Sequence, residues 1–219
     1  TALRQASIAK ALRGGNMRGF MSVNADIFVR SFCLMLVTLA FISVGARSGN
    51  LTLAVNALIM QLFILFSYSM DGIAFAGEAL VGRYEGANDR EQLRRTVKRL
   101  FVWGSAVMAA YCIAYGGLPE VIFSLLTSDA EVVSTAVSYR LWCVAIPLAS
   151  MAAFVWDGVF IGQTRTRGML LAVVTASAAF FVICFGSPYP EGNNRLWTAF
   201  ITYLAMRSAV QTWLYMRRK

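Results

Sequence analysis

Residues 54–82 read AVNALIMQLFILFSYSMDGIAFAGEALVG, a stretch of 29 residues with two carboxylates and no basic side chain. About 20 apolar residues cross the roughly 30 Å hydrocarbon core of a bilayer as an α-helix. At about 1.5 Å per residue this stretch exceeds that core, so we predict a transmembrane helix that is tilted or extends out of the membrane. Asp71 lies far from both ends, where an ionised carboxylate costs at least about 2.5 kcal/mol. Such a residue indicates an ion or substrate path and favours transport.

Five further apolar runs have the length of a membrane span. The chain of 219 residues is 58% hydrophobic and 14% charged, whereas a soluble domain carries about 25% charged residues. Strand-length alternation is absent, so we predict an all-α integral membrane protein with six transmembrane helices. Their predicted bounds are 22–46, 54–82, 100–118, 136–162, 169–187 and 196–216.

The net charge of +9 is distributed as in a membrane protein, and we predict no nucleic-acid partner. Most of the lysines and arginines fall in the first twenty residues, in 83–99, in 163–168 and at the C-terminus. The alternate loops hold only Arg47, Arg140 and Arg195. This is the positive-inside pattern, and it predicts that both ends of the chain are cytoplasmic.

The residue inventory argues against an enzyme. Histidine is absent, which excludes Ser-His-Asp catalysis and histidine-ligated metals. The cysteines lack metal-ligand spacing, and the chain has neither a Gly-x-Ser-x-Gly motif nor a nucleotide-binding loop. We therefore predict no enzymatic activity, no metal site and no cofactor beyond a coupling ion.

Charged side chains inside the predicted spans are the candidate functional residues. Counted from the nearest basic segment, Asp71 and Arg207 lie about 18 Å and 15 Å deep, so a pair between them is geometrically allowed. In one interpretation the acids bind Na⁺ or H⁺; in the other they form fixed salt bridges with the two arginines. Because four acids face two arginines, two carboxylates must be protonated, hydrated or bound to a cation. The coupling candidates are Asp71, Glu78, Asp157 and Asp26, and the salt-bridge candidates are Arg30 and Arg207.

The fourth predicted span contains two backbone features. Pro147 removes a helix hydrogen bond, so it is a candidate hinge or a static bend. Gly158-x-x-x-Gly162 favours a close helix contact. The dipeptide Asp157-Gly158 repeats Asp71-Gly72 of the second span, and internal repeats of this kind occur in transporters.

Four segments together resemble the second half of a DinF-type MATE (multidrug and toxic compound extrusion) exporter, over residues of about 20 to 217. They read NADIFVRS at 24–31, AVNA at 54–57, YSMDGIAFAGEA at 68–79 and DGVFIGQTR at 157–165. The resemblance implies a twelve-helix transporter with two six-helix lobes, of which residues 20–217 form the C-terminal lobe. Residues 1–19 would be the cytoplasmic or interfacial linker from the N-terminal lobe.

The resemblance also implies a function. Such exporters expel amphipathic, often cationic drugs by alternating access, driven by Na⁺ or H⁺ entry, in the bacterial inner membrane. Some branches place coupling acids in the seventh, eighth and tenth helices, which here contain Asp26, Asp71 and Asp157. The implied partners are the N-terminal lobe, the bilayer and the drug. A flippase for lipid-linked precursors and a non-transporting membrane scaffold are the alternatives.

Overall fold

The computed structural model describes residues 16–186 and 192–217. Within those ranges the chain forms eight α-helices joined by short turns, and it forms no strand. The helices are α1 (Asn16–Ala46), α2 (Asn50–Gly86), α3 (Arg90–Gly117), α4 (Pro119–Leu126), α5 (Ala130–Ser138), α6 (Arg140–Gly162), α7 (Thr166–Phe181) and α8 (Gly192–Met216). The predicted all-α class is therefore confirmed. A π-helical turn, Val182–Gly186, continues α7.

The helices run past the apolar limits that the sequence predicts. Residues 16–19, expected in the linker, already belong to α1, whereas residues 1–15 lie outside the described ranges. The polar segment before residue 100 is the first part of α3, because backbone hydrogen bonding continues a helix beyond the hydrocarbon core. The predicted span 136–162 is divided at Tyr139 into α5 and α6. Residue 187, the predicted end of the fifth span, also lies outside the described ranges.

Local sequence explains the turn between α2 and α3. Asn88 adopts a left-handed backbone with φ 54°, a conformation that asparagine tolerates better than most residues. The next residue, Asp89, accepts a hydrogen bond from the backbone amide of Gln92 and so caps the start of α3. This turn and the α6–α7 turn lie at one end of the bundle, here named the basic end because arginines cluster there.

Five helices of the described chain are long and apolar enough to cross a membrane: α1, α2, α3, α6 and α7 with its π-helical turn. The 25-residue α8 is the sixth long helix, but it is not among those five. Its polar side chains Arg207 and Gln211 are buried inside the bundle. Mean hydropathy therefore underestimates the capacity of α8 to span a membrane, because a helix that faces protein on its polar side needs fewer apolar residues.

The long helices pack as two groups. In one group α2, α3 and α6 contact each other, and in the other α7 packs against α1 and α8. The contact between α6 and α8 joins the groups. Aromatic residues fill both ends, with the Phe41 and Trp197 ring centroids 4.9 Å apart at one end and Phe101 and Trp156 4.8 Å apart towards the other.

Glycines allow the closest helix contact of the first group. A Cβ atom built on Gly158 of α6 would collide with the backbone carbonyl of Ala74 in α2. One built on Gly162 would lie 2.8 Å from the carbonyl oxygen of Glu78. Since these obstacles are backbone atoms, α2 and α6 would have to separate to admit a larger residue. The Gly158-x-x-x-Gly162 spacing thus sets the distance between these two helices.

We expect Gly158→Ala to destabilise the protein by about 1–3 kcal/mol or more, because the added methyl meets backbone that cannot rotate away. The measurement is the thermal unfolding midpoint of the full-length protein in detergent. Gly72→Ala is the matched control, because Gly72 follows an aspartate in the same way but has no heavy atom within 4 Å of its built Cβ. Equal midpoints for the two variants would contradict the close α2–α6 contact.

Candidate functional site

A single carboxylate receives side chains from two other helices. Asp157 of α6 is only 5% exposed. Its Oδ2 accepts a hydrogen bond from Nη2 of Arg30 in α1 at 2.5 Å and one from Nη2 of Arg207 in α8 at 2.9 Å. Its Oδ1 accepts a third from Nε2 of Gln211 at 2.6 Å. We name these four residues the Asp157 cluster.

Helix geometry explains why α8 supplies two of the donors. Arg207 and Gln211 are four residues apart, so they lie on one face of α8, and that face meets α6. The Arg207 guanidinium also lies 6.0 Å from the ring centroid of Phe154 and 5.7 Å from that of Tyr203. These aromatic faces attract a cation and hold the guanidinium in place.

Further hydrogen bonds fasten the same pair of helices. Ser208 of α8 donates to the carbonyl oxygen of Ala149 at 2.6 Å and accepts from the backbone amide of Ala153 at 3.1 Å. The indole Nε1 of Trp156 donates to the Thr212 hydroxyl at 2.8 Å. The Asp157 cluster therefore sits inside a polar seam between the two helix groups.

The cluster contains more donors than its carboxylate can satisfy. Two guanidinium groups face one carboxylate, which leaves an excess of one positive charge. Among the described residues, the Nε atoms of Arg30 and Arg207 and the Oε1 atom of Gln211 are buried without a hydrogen-bond partner. Arg30 retains more exposure than Arg207, with 20% against 4% of the side chain accessible.

Asp71 is in a different situation. Its side chain is half-buried on α2, and it forms no hydrogen bond or ion pair with any residue in 16–186 or 192–217. It lies close enough to Arg30 and Asp157 to interact with both charges through space. The sequence allowed a pair between Asp71 and Arg207, because the two residues lie at similar estimated depths in the membrane. This pair is not formed, and Arg207 is bound to Asp157 instead.

The other two candidate acids lie towards the basic end. Glu78 is half-buried on α2, and its side chain has no ion-pair partner within the described part of the chain. Asp26 accepts a hydrogen bond from the Thr166 hydroxyl at 2.7 Å, which joins α1 to the start of α7. A cavity of about 240 Å³ adjoins Asp26. The structure thus brings Arg30, Asp157 and Arg207 together but leaves Asp26 and Glu78 apart from them.

Pro147 is buried within α6, and the helix is continuous from Arg140 to Gly162. The Ser150 hydroxyl, one turn later, donates to the carbonyl oxygen of Ile146 at 2.6 Å. A hinge at Pro147 stays a prediction.

Two neutral amides belong to the polar interior although sequence reasoning did not select them. Gln211 completes the Asp157 cluster, and its spacing of four residues from Arg207 is the signal that could have found it. Asn56 exchanges two hydrogen bonds with Asn193, at 2.7 and 2.9 Å, and accepts a third from the Trp197 indole at 2.9 Å. This second group of amides joins α2 to α8 at the end opposite the basic end.

Comparison with known proteins is consistent with this architecture. The MatE family model matches residues 27–186. DNA damage-inducible protein F of Escherichia coli (strain K12) is 36% identical over 199 residues, which cover 88% of this chain and 42% of that protein.

Two solved structures share the fold. The structure described as MATE in the straight conformation matches with a TM-score of 0.80 and 20% identity, over 96% of this chain and 47% of that one. An outward-facing multidrug resistance MATE family transporter of the MOP superfamily matches with a TM-score of 0.72 and 17% identity, also over 96% of this chain and 47% of that one.

The chain therefore spans about half the length of the proteins that it matches. These proteins are transporters by family and not enzymes, which confirms the prediction against catalysis. The chain is an integral membrane protein that belongs to the MatE family.

Proposed function

We propose that this chain is one six-helix lobe of a secondary transporter that exports amphipathic, often cationic compounds in exchange for Na⁺ or H⁺. Alternating access of a cavity between this lobe and an N-terminal six-helix lobe of the same protein would carry the compound outwards. Family membership supports transport, and the half-length coverage of the solved transporters supports a second lobe. One of the solved relatives is a multidrug resistance transporter, which supports the substrate class.

The observation that carries the proposal is the contrast between Asp71 and Asp157. Both oxygens of Asp157 are already occupied by protein donors, so a cation would have to displace two guanidinium groups. Asp71 has no such partner among the described residues, although it lies in the middle of an apolar helix. A carboxylate in that position needs a proton, water or a cation to offset its desolvation. We therefore assign ion coupling to Asp71 first, and to Glu78 and Asp26 only as secondary candidates.

Asp157 and its two arginines are assigned a structural role. Removing one member of a buried ion pair leaves an uncompensated charge, which makes such a cluster costly to open. The cluster connects α1 and α8 of one helix group to α6 of the other. It would keep the lobe rigid while the lobe moves as a unit.

The two alternatives fit the residues less well. A flippase for lipid-linked precursors needs accessible basic side chains for phosphate groups. Arg207 is buried against Asp157 and the partly exposed Arg30 is bound to the same carboxylate, so neither of these two intramembrane arginines is available for a phosphate. A membrane scaffold gives no reason to keep Asp71 without a partner.

The proposed location is the bacterial inner membrane, with the basic end of the bundle in the cytoplasm. The positive-inside bias comes from Arg83 at the end of α2, from the basic residues of the first part of α3 and from Arg165 in the α6–α7 turn. The bacterial origin of the 36% identical relative supports the choice of membrane.

We expect Asp71→Asn to reduce gradient-driven export by about tenfold or more, because a loss of only 1.4 kcal/mol in cation binding is already a factor of ten. The measurement is transport of a cationic dye by the full-length protein in proteoliposomes, with Na⁺ and H⁺ gradients applied separately. Asp71→Glu should retain part of the activity because it keeps the charge. Glu120→Gln is the control, since it removes an exposed carboxylate outside the spans. Unchanged ion-driven export by Asp71→Asn would exclude Asp71 from the coupling mechanism.

Asp157→Asn should instead destabilise the fold by about 3–5 kcal/mol, because it leaves two guanidinium groups without their carboxylate. Thermal unfolding of the full-length protein in detergent measures this effect. The comparison is Glu91→Gln, which breaks the exposed Glu91–Arg95 pair and should cost at most about 0.5 kcal/mol. If Asp157→Asn unfolds at the wild-type temperature but loses ion coupling, the roles assigned to Asp71 and Asp157 are reversed.

A further inference from the structure

A second polar cavity lies at the basic end, away from the Asp157 cluster. Its volume is about 210 Å³, and it is formed where the α2–α3 turn, the α6–α7 turn and the end of α8 meet. Arg90 and Arg94 come from α3, Arg165 from the α6–α7 turn, and Tyr84 and Tyr215 from α2 and α8. Three cationic side chains from two separate elements thus line one cavity.

The charges of Arg90 and Arg94 are not neutralised within the described ranges. Neither guanidinium forms an ion pair or a side-chain hydrogen bond there. The neighbouring Arg95 differs, because it pairs with Glu91 of its own helix. Since Arg90 and Arg94 are four residues apart, both lie on the face of α3 that borders the cavity.

Among the described residues, Glu85 is the one carboxylate that lines this cavity, and it is already engaged. Glu85 accepts a hydrogen bond from the Gln163 amide at 2.9 Å and lies 3.6 Å from the guanidinium of Arg165. Arg165 also donates to the Gln163 side-chain oxygen at 3.4 Å. These contacts hold the α6–α7 turn beside the end of α2. Because the charges of Glu85 and Arg165 offset each other, Arg90 and Arg94 give the described lining of the cavity a net charge of +2.

Counted along α3, the inner side of the cavity lies near the depth expected of lipid headgroups. The apolar part of α3 begins at Leu100, and Arg94 lies six residues earlier, about 9 Å along the helix. Headgroups extend for about 5–8 Å on each side of the hydrocarbon core, and long arginine side chains reach through that layer. Basic hollows between membrane helices at this level suit anionic headgroups.

We propose that this cavity binds a phosphate group, with the headgroup of an anionic phospholipid as its source. The planar guanidinium groups of Arg90 and Arg94 would bind the phosphate oxygens through paired N–H donors. The phenol groups of Tyr84 and Tyr215 lie at the interfacial depth where tyrosine is favoured. The site is independent of the export function, because it contains none of the acids assigned to coupling.

The test measures lipid retained by the full-length protein in an uncharged detergent, by native mass spectrometry during titration with a short-chain phosphatidylglycerol. Phosphatidylcholine of the same chain length is the comparison lipid, and inorganic phosphate is the soluble competitor. We expect Arg90→Gln combined with Arg94→Gln to weaken phosphatidylglycerol binding by about tenfold to thirtyfold. The matched control combines Lys98→Gln with Arg99→Gln, which removes the same charge from exposed positions of α3 outside the cavity.

Selective binding of phosphatidylglycerol, lost in the first double variant and kept in the control, supports the lipid headgroup as the ligand. Binding of inorganic phosphate with the same dependence on Arg90 and Arg94, but without lipid selectivity, supports the anion site and assigns it a soluble source. Equal retention of both lipids without phosphate binding, or equal losses in the two double variants, overturns the proposal. Unfolding midpoints in lipid-free detergent verify that both double variants are folded.

Discussion

The carboxylate of Asp157 sets the constraint on which the rest of this bundle depends. A buried charge is tolerated in a membrane helix only when partners from neighbouring helices offset its desolvation. Arg30, Arg207 and Gln211 provide those partners from α1 and α8, so three helices must stay in register around one side chain. The apolar surfaces of these helices cannot impose such a register, because lipid tails are as apolar as leucine. The cluster thus gives the α6–α8 contact a specificity that hydrophobic burial does not supply.

The glycine contact between α2 and α6 places a second carboxylate near the first. Gly158 follows Asp157 directly and packs on the backbone of Ala74, which lies one turn after Asp71. The close approach of the two helices therefore keeps Asp71 within electrostatic reach of Asp157 and Arg30. Both Arg30 and Arg207 direct Nη2 to Asp157, and neither forms an ion pair with Asp71. Asp71 therefore has no side-chain partner among the described residues, although the packing of the bundle keeps it near two charged groups.

Sequence reasoning predicted the apolar helices and selected Arg30, Asp157 and Arg207, because charges stand out against an apolar background. It could not predict which charges pair. Counting residues along a helix estimates the depth of a side chain in the membrane, and the estimated depths of Asp71 and Arg207 are similar. Pairing also requires that two helix faces meet, and the rotation of each helix is set by contacts such as Gly158 on Ala74. The amides of Gln211 and Asn56 were missed because neutral side chains hardly alter hydropathy, although burial makes their hydrogen bonds important.

The two Asp-Gly dipeptides show why a repeated motif does not define a repeated function. In α6 the aspartate is buried with three donors and the glycine touches backbone, whereas in α2 the aspartate lacks a side-chain partner among the described residues and the built Cβ of Gly72 has no heavy atom within 4 Å. The dipeptide is the same, but its burial differs: Asp157 and Gly158 are buried, whereas Asp71 is half-buried and Gly72 is exposed. A cation or proton can reach a carboxylate whose oxygens are free, and it must compete with guanidinium groups for one whose oxygens are occupied. The number of protein donors on each carboxylate, more than the motif that contains it, therefore separates the residue proposed for ion exchange from the residue proposed to hold the bundle together.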